Sequence, residues 1–141
     1  MLVVDASVIL KWLLDDPEAE EDTLIASELM RRVLSGEEEI IQPIHWLAEV
    51  SAVLSRVSPD SAVQDVEMLH ALELPTRDDA AIHRRACHLS IELKQHVFDT
   101  LYHSVALETD DALLVTADER YLRASRHLAG VTSLTAWGAS R

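Results

Sequence analysis

The sequence predicts an α/β fold in which a mostly parallel sheet is covered by helices on both faces. Short segments rich in apolar and β-branched residues alternate with longer segments in which apolar residues recur every three or four positions. The strand candidates are apolar throughout, which is typical of parallel strands buried on both faces. With 141 residues, the chain has the length of one ordinary domain, so we expect a single domain over residues 1–141.

The chain opens with a strand candidate and two helix candidates. Leu2–Val4 is the strand, and residues 7–14 can form the first helix. Asp16 before Pro17 predicts the N-cap and first position of a longer helix, which the Ser-Gly pair at residues 35–36 ends. This order of strand and helix is the first unit of the α/β pattern.

The same order recurs in the next part of the chain. A strand is expected at residues 39–42, and Pro43 is expected to open a helix that ends at the Ser-Pro pair of residues 58–59. A capping box over residues 61–64, with Ser first and Gln last, predicts a further helix. A brief strand is expected to follow it at residues 72–74.

The second half of the chain continues the alternation. Capping boxes over residues 76–79 and 116–119 predict two helix starts, and Asp99 is expected to begin a third helix. These helices are expected to end near residues 94, 127 and 108, respectively. Strands are expected at residues 112–115 and 131–134.

Composition narrows the class of protein. The single cysteine, Cys87, cannot form an intramolecular disulfide, and we expect it to pack beside the apolar stripe of its helix. No stretch approaches the length that spans a membrane, so we expect a cytoplasmic protein without membrane contact. The net charge of −13 argues against binding a polyanion through basic residues. The acidity is uneven, since residues 1–60 contain 13 acidic and 4 basic residues, whereas Glu119 is the one acid after Asp118.

Two acids are expected at one edge of the predicted sheet. Asp5 follows the first strand directly, and Asp118 lies two residues beyond Thr116, which ends a later strand. Ligands of open parallel sheets bind at the carboxyl ends of the strands. Each acid also has an ordinary alternative, since Asp5 suits a helix N-cap and Asp118 suits a first turn, where it complements the helix dipole.

Two further acids are candidates, with alternatives of equal standing. Asp99 is expected at a helix start, where a capping role is the alternative, and Glu49 lies at the edge of the buried face of its helix, where a solvated glutamate is the alternative. If all four acids came within ~5 Å of one another, each pair would repel by about 3 kcal/mol at an effective dielectric constant near 20. Divalent cations would relieve that repulsion, and oxygen ligands favour Mg²⁺ or Mn²⁺.

Four segments surround these acids in order: VVDASVILKWL, HWLAEVSAVL, VFDTLYHSVAL and LLVTADERYL. They resemble the motifs of the PIN-domain family, and within it the VapC-type toxins of bacterial toxin–antitoxin pairs. The resemblance implies a three-layer α/β/α fold and a Mg²⁺- or Mn²⁺-dependent endoribonuclease. Its catalytic and metal-binding residues would be Asp5, Glu49, Asp99 and Asp118. It also implies an RNA substrate, a cognate antitoxin that blocks the site, and a homodimer.

Several neighbouring residues acquire candidate roles from the same resemblance. The hydroxyls of Ser7 and Thr116 are candidates to orient carboxylates or water, with helix capping as the alternative. Three arginines recur every three residues and are candidates for RNA phosphate contacts, with a solvated face as the alternative: Arg120, Arg123 and Arg126.

Other residues are given no catalytic role. Tyr102, one helical turn beyond Asp99, is expected to pack, with stacking or hydrogen bonding at the cleft as the alternative, and none of the seven histidines is assigned to a metal. Apolar residues such as Trp12 and Leu14 are candidates for a dimer or antitoxin surface. The alternative function is a catalytically inactive PIN-like module that binds a protein partner.

Overall fold

A computed structural model describes residues 1–14, 18 and 20–141, and it has the predicted three-layer α/β/α architecture. The strands are β1 (Leu2–Val4), β2 (Gln42–Pro43), β3 (Thr76–Arg77), β4 (Leu113–Thr116) and β5 (Val131–Ser133). The helices are α1 (Ala6–Leu13), α2 (Glu20–Leu34), α3 (Trp46–Val57), α4 (Ala62–Ala71), α5 (Ala80–Leu93), α6 (Val97–Leu107), α7 (Glu119–Ser125) and α8 (Leu134–Ala139).

All strand pairings in the described residues are parallel. β4 lies between β1 and β5, with Val4 opposite Val115, and β2 pairs with β3. A parallel bridge between Leu2 and Ile40 connects the two groups of strands. Because β1 and β4 run side by side in the same direction, the residues that follow them meet at one edge of the sheet.

The side chain of Gln42 completes the connection between β1 and β2. Its Nε2 donates to the carbonyl oxygen of Val4 at 2.8 Å, and its Oε1 accepts from the Val4 N–H at 2.8 Å. All of these groups are buried, so the amide replaces the two backbone hydrogen bonds that a longer β2 would supply.

We expect Gln42→Met to lower the free energy of unfolding by about 2–5 kcal/mol, because two buried backbone groups of Val4 lose their partners. The measurement is chemical denaturation followed by circular dichroism. Gln64→Met, on the exposed surface of α4, is the control and should change stability by less than ~0.5 kcal/mol. Equal stability of the two variants would contradict this role of Gln42.

The helices form two layers around the sheet. α6 contacts β1, β2 and β4, and α5 packs on α6. α1 and α8 contact β4, and α2 packs on both of them. The strands β1 and β4 are apolar and almost entirely buried between the layers, as their uninterrupted apolar sequences predict.

Two predicted helix starts are wrong because an aspartate, and not the threonine that was predicted to cap the helix, is the N-cap. Asp79 and Asp118 each accept two backbone N–H groups of the following helix, whereas Ser61 makes no side-chain cap. Thr116 remains in its strand, and α6 begins at Val97, which places Asp99 in its first turn.

The strand predictions shift in the middle of the chain. Pro43 belongs to β2 and does not open α3, which starts at Trp46. Residues 72–74 do not form the expected strand, because Glu73 adopts φ +48°, outside the extended region. The strand in this part of the chain is β3, which begins at Thr76. The sequence also failed to predict α8, a short helix that packs against β4 and β5.

Other predictions meet the structure as follows. The predicted cap at Asp16 and Pro17 lies outside the described residues. Cys87 is exposed, so its predicted packing role is wrong; it lies one residue past the buried stripe that contains Ala86. Trp12 and Leu14 are partly buried against the core and offer little apolar surface. In the described part of the chain, every helix is too short or too polar to cross a bilayer.

Candidate active site

Asp5 lies where β1 ends, and its side chain caps α1. One carboxylate oxygen, Oδ2, accepts from the Ser7 N–H at 3.2 Å, from Thr116 Oγ1 at 3.1 Å and from Ser7 Oγ. The other oxygen, Oδ1, accepts no hydrogen bond from the residues that the structure describes. The described residues therefore hold the Asp5 carboxylate through Oδ2 alone.

Ser7 and Thr116 connect Asp5 to the turn after β4. Ser7 Oγ accepts from the Ala117 N–H at 3.0 Å, and Thr116 Oγ1 accepts from the Asp118 N–H at 3.0 Å. These two hydroxyls thus contact one candidate acid and the backbone that carries another. Their predicted role in orienting the carboxylates has a geometric basis, while their effect on catalysis remains a prediction.

The environment of Asp5 disfavours its charge. The pKa of Asp5 is raised from 3.8 to about 6, chiefly by burial, since the side chain is only 8 % exposed. Repulsion from Glu49 contributes to this increase, and the hydrogen bonds from Ser7 and Thr116 partly offset it. A compensating positive charge would favour the ionised form.

Asp118 is the N-cap of α7. Its Oδ1 accepts from the N–H groups of Arg120 and Tyr121, at 2.9 and 3.1 Å. The sequence had offered a first-turn position as the alternative for Asp118, but that position belongs to Glu119, and Asp118 caps the helix through Oδ1 alone. Capping and a place in an acid cluster are therefore compatible in this residue, as they are in Asp5.

Asp99 lies in the first turn of α6 and is half-buried. Burial raises its pKa, and the negative charges of Glu49 and Asp118 raise it further. The nearby rings of His96 and His45 oppose the increase. Asp99 therefore lies in the electrostatic field of two other candidate acids. It does not cap α6, whose N-cap is His96, so the capping alternative for Asp99 is wrong.

Glu49 is the acid that links the others. Its charge raises the pKa of both Asp5 and Asp99. Oε2 of Glu49 lies 3.0 Å from His45 Nε2, but that nitrogen forms its hydrogen bond with the carbonyl oxygen of Phe98, at 2.8 Å. Oε2 is buried and has no hydrogen bond of good geometry to a described residue, although the Tyr102 hydroxyl lies near enough for an interaction with the Glu49 side chain to raise the Tyr102 pKa.

Two further residues lie beside Glu49: Tyr102, for which the sequence offered a cleft contact only as an alternative to packing, and His45, which sequence reasoning missed. The Tyr102 hydroxyl and His45 Nδ1 are also buried without a hydrogen-bond partner in the described structure. Burial raises the pKa of Tyr102 well above its ordinary value, with further contributions from Glu49 and Asp5. The spacing offered a signal, because His45 precedes Glu49 by four residues and Tyr102 follows Asp99 by three, which places each pair on one helix face.

The structure brings the four predicted acids into one electrostatically coupled cluster. Glu49 acts on Asp5 and Asp99, and Asp118 acts on Asp99. In the described ranges, no three His, Cys, Asp or Glu side chains are already arranged to hold a metal ion. The donors nevertheless fit a hard divalent cation, because Asp5 Oδ1 and Glu49 Oε2 are carboxylate oxygens without protein hydrogen bonds.

The family follows from a comparison with protein-family models. The model described as "PIN domain" matches residues 2–127, which is most of the chain. The chain belongs to the PIN domain family. PIN domains are generally nucleases, and they generally use divalent metal ions. The acidic cluster of this PIN domain is therefore its candidate active site.

A solved structure supports the fold of this PIN domain. The crystal structure of PAE2754 from Pyrobaculum aerophilum is similar with a TM-score of 0.64 and 18% sequence identity, over 99% of this chain and 93% of that one. At this level of identity, the similarity concerns the fold alone. A comparison with curated protein sequences gives no significant match.

The arginine stripe of this PIN domain begins beside the acid cluster. Arg120 and Arg123 belong to α7, which starts at Asp118, and Arg126 is its C-cap. All three side chains are exposed, and none forms an ion pair with a residue that the structure describes. The arginines are thus available for an anionic ligand, and a role in RNA contact remains a prediction.

Proposed function

We propose that this PIN domain is a Mg²⁺- or Mn²⁺-dependent endoribonuclease and that it acts as the toxin of a toxin–antitoxin pair. The observation that carries the proposal is the cluster of Asp5, Glu49, Asp99 and Asp118, in which two coupled acids have raised pKa values. Such a cluster costs free energy unless it serves a ligand, because burial penalises each carboxylate charge.

Asp5 and Glu49 are the primary candidates to hold the cation, with Asp99 and Asp118 beside them. Divalent cations at such a site activate a water for attack on phosphorus and stabilise the leaving oxygen. Ser7 and Thr116 keep Asp5 fixed through Oδ2. They thereby hold Oδ1 in place at little cost in side-chain entropy.

The Tyr102 hydroxyl supplies a further group at the site. The phenol stays protonated at neutral pH, since burial and the neighbouring acids raise its pKa. It is a buried donor without a partner in the described structure, next to the carboxylate of Glu49. We propose that it donates to Glu49 or to a water and keeps that carboxylate oriented.

The exposed arginines of α7 are the proposed phosphate contacts. Arg120, Arg123 and Arg126 are free of ion pairs to described residues, so their guanidinium groups need not exchange one partner for another. They counteract locally the net charge of −13 that opposes RNA binding.

The toxin role, the antitoxin, the homodimer and the cytoplasmic location belong to the proposal. They are supported by the resemblance of the four motif segments to VapC-type toxins. Exposed apolar side chains on the surface, including Ile44 and Val57 at the two ends of α3, supply apolar area for such protein contacts.

The proposal is tested with Asp99→Asn, which we expect to lower Mn²⁺-dependent cleavage of a single-stranded oligoribonucleotide by at least about 100-fold. Asp99 lies among the candidate acids and does not cap a helix, so its replacement should remove an acidic group without disturbing the start of α6. Expression of the wild type, but not of the variant, should arrest bacterial growth if the protein is a toxin.

The matched control is Asp110→Asn, an exposed acid before β4, which should retain full cleavage. Equal RNA cleavage by the wild type and Asp99→Asn would refute the assignment. Absence of both cleavage and calorimetric Mn²⁺ binding at millimolar concentration would favour the alternative, a catalytically inactive module that binds a protein.

A further inference from the structure

A groove lies directly beside the acid cluster. It has a volume of about 240 Å³ and is lined by His45, Ala48, Glu49, Ala52 and Phe98. Ala48 and Ala52 are one turn apart on α3, and their small side chains leave room in front of the Phe98 ring. Glu49 belongs both to this groove and to the acid cluster, so a ligand in one extends naturally into the other.

Phe98 is exposed although the protein has few aromatic residues. It is the only phenylalanine of the chain, and 53 % of it is accessible to solvent. The tyrosines, Trp46 and Trp137 are buried, so the exposure of this ring is exceptional among the described aromatic residues. What distinguishes Phe98 from the other exposed apolar side chains is its position in the wall of a groove that also contains Glu49.

Two histidine rings hold Phe98 in place. His45 is stacked against it at a centroid distance of 5.5 Å and an interplanar angle of 26°, and His96 at 5.1 Å and 29°. His45 Nε2 also donates to the Phe98 carbonyl oxygen at 2.8 Å. The three rings form one aromatic cluster at the groove, and the exposed part of the Phe98 ring is available for contact with a ligand.

A nucleobase suits this groove better than a segment of protein. In a nucleotide, a flat ring system lies one sugar away from an anionic phosphate, which matches an aromatic groove adjoining a cation-binding cluster. The volume is below the roughly 300–1,000 Å³ typical of sites for larger ligands, and a single planar ring needs less space than a helix face.

Stacking would also compensate for the weak electrostatic attraction between this acidic chain and RNA. A chain with a net charge of −13 obtains little affinity for RNA from phosphate neutralisation. Stacking of one base on an aromatic ring contributes affinity that does not depend on charge, worth about 5- to 150-fold in binding. A stacking site next to the scissile phosphate would therefore supply what the scarce basic residues do not.

We propose that the groove formed by Phe98, His45 and the two alanines binds one unpaired base of the RNA substrate, adjacent to the bond that is cleaved. The inference rests on the proposed nuclease function and makes it more specific. It predicts a preference for single-stranded RNA, because a base in a duplex cannot enter the groove without leaving its stack.

The test compares Phe98→Ala with Phe98→Trp, which retains a stacking face. On a single-stranded oligoribonucleotide that the wild type cleaves at one bond, Phe98→Ala should lower kcat/KM by about 5- to 150-fold, mainly through KM. Phe98→Trp should retain near-wild-type cleavage. Ile91→Ala, at an apolar side chain of α5 that is 78 % exposed, is the control and should have no effect.

The second arm removes the base from the substrate. An abasic residue beside the cleaved bond should slow the wild type by a similar factor and should leave Phe98→Ala without a further loss. If Phe98→Ala loses the same factor on intact and abasic substrates, the base does not stack on Phe98 and the inference is wrong. Full activity of Phe98→Ala on intact RNA would also overturn it.

A third arm separates this inference from the nuclease proposal. Quenching of 2-aminopurine placed next to the scissile bond reports stacking without catalysis, so it is measured with the wild type in Mn²⁺ on an oligoribonucleotide whose scissile bond is chemically blocked against cleavage. Quenching that Phe98→Ala abolishes supports the base site even if cleavage is attributed elsewhere. Absence of quenching overturns the base site, whereas hydrolysis of bis(p-nitrophenyl) phosphate, which has no base, would still support the nuclease.

Discussion

Replacing Asp5 with asparagine is expected to stabilise the metal-free protein by about 3 kcal/mol at pH 7. The pKa of Asp5 is raised from 3.8 to about 6, chiefly by burial, and a rise of about two pKa units at about 1.36 kcal/mol each gives roughly this free energy. The asparagine oxygen can accept the hydrogen bonds of Ser7 and Thr116, all of which end on Oδ2 of Asp5. The variant thus removes a buried charge and keeps the contacts.

The pH dependence has a definite sign. Because the folded-state pKa of Asp5 is raised, the folded protein binds more protons than the unfolded chain between pH 3.8 and about 6. The stability of the wild type relative to Asp5→Asn should therefore fall as pH rises through this window, and the full difference should be present above about pH 6. Denaturant unfolding in EDTA at pH 4, 5, 6 and 7 measures it.

The same substitution should abolish function. We expect Asp5→Asn to lower Mn²⁺-dependent RNA cleavage by at least about 100-fold, and Mn²⁺ should raise the melting temperature of the wild type but not of the variant. Asp110→Asn, at an exposed acid, should match the wild type in stability and activity. Parallel pH profiles for wild type and Asp5→Asn would contradict the buried-charge argument. A gain in stability together with a loss of activity is the mark of a residue selected for function.

The sequence predicted the parts of the fold and site that depend on local signals. The apolar strands β1 and β4 were predicted within one residue, and the acids that follow them, Asp5 and Asp118, therefore lie at the expected edge. The capping alternative for Asp5 was also correct, whereas Asp118 is the N-cap of α7 and not the first-turn acid that the sequence offered. A short polar side chain after a strand can cap and face a ligand site at once, so the two interpretations do not compete.

The sequence could not predict what depends on distant contacts. β2 and β3 have two residues each, and β2 is joined to β1 by the side chain of Gln42, which leaves no periodic signal. The spacing places His45 beside Glu49 on α3, but the approach of Tyr102 on α6 to both of them is a contact between distant segments. Burial and charge coupling arise only once these helices pack.

Glu49→Gln is expected to lower the pKa of Asp5 and the pKa of Asp99, because Glu49 raises both through charge repulsion. It should also weaken Mn²⁺ binding and reduce RNA cleavage by at least about 100-fold, since the buried Oε2 is an unused oxygen donor. Carboxyl ¹³C NMR titration in EDTA measures the two pKa values, and calorimetry measures the metal affinity.

The control for this variant is Glu67→Gln on α4, an exposed residue that should leave both pKa values and the metal affinity unchanged. If the pKa of Asp5 is the same in Glu49→Gln and in the wild type, the acids are not coupled and the cluster is not one site. If the pKa falls but cleavage persists, Glu49 shapes the electrostatics without binding the cation. If Glu49 binds the cation, the pKa of Asp5, the Mn²⁺ affinity and the cleavage rate should all change in Glu49→Gln, because one carboxylate then accounts for all three.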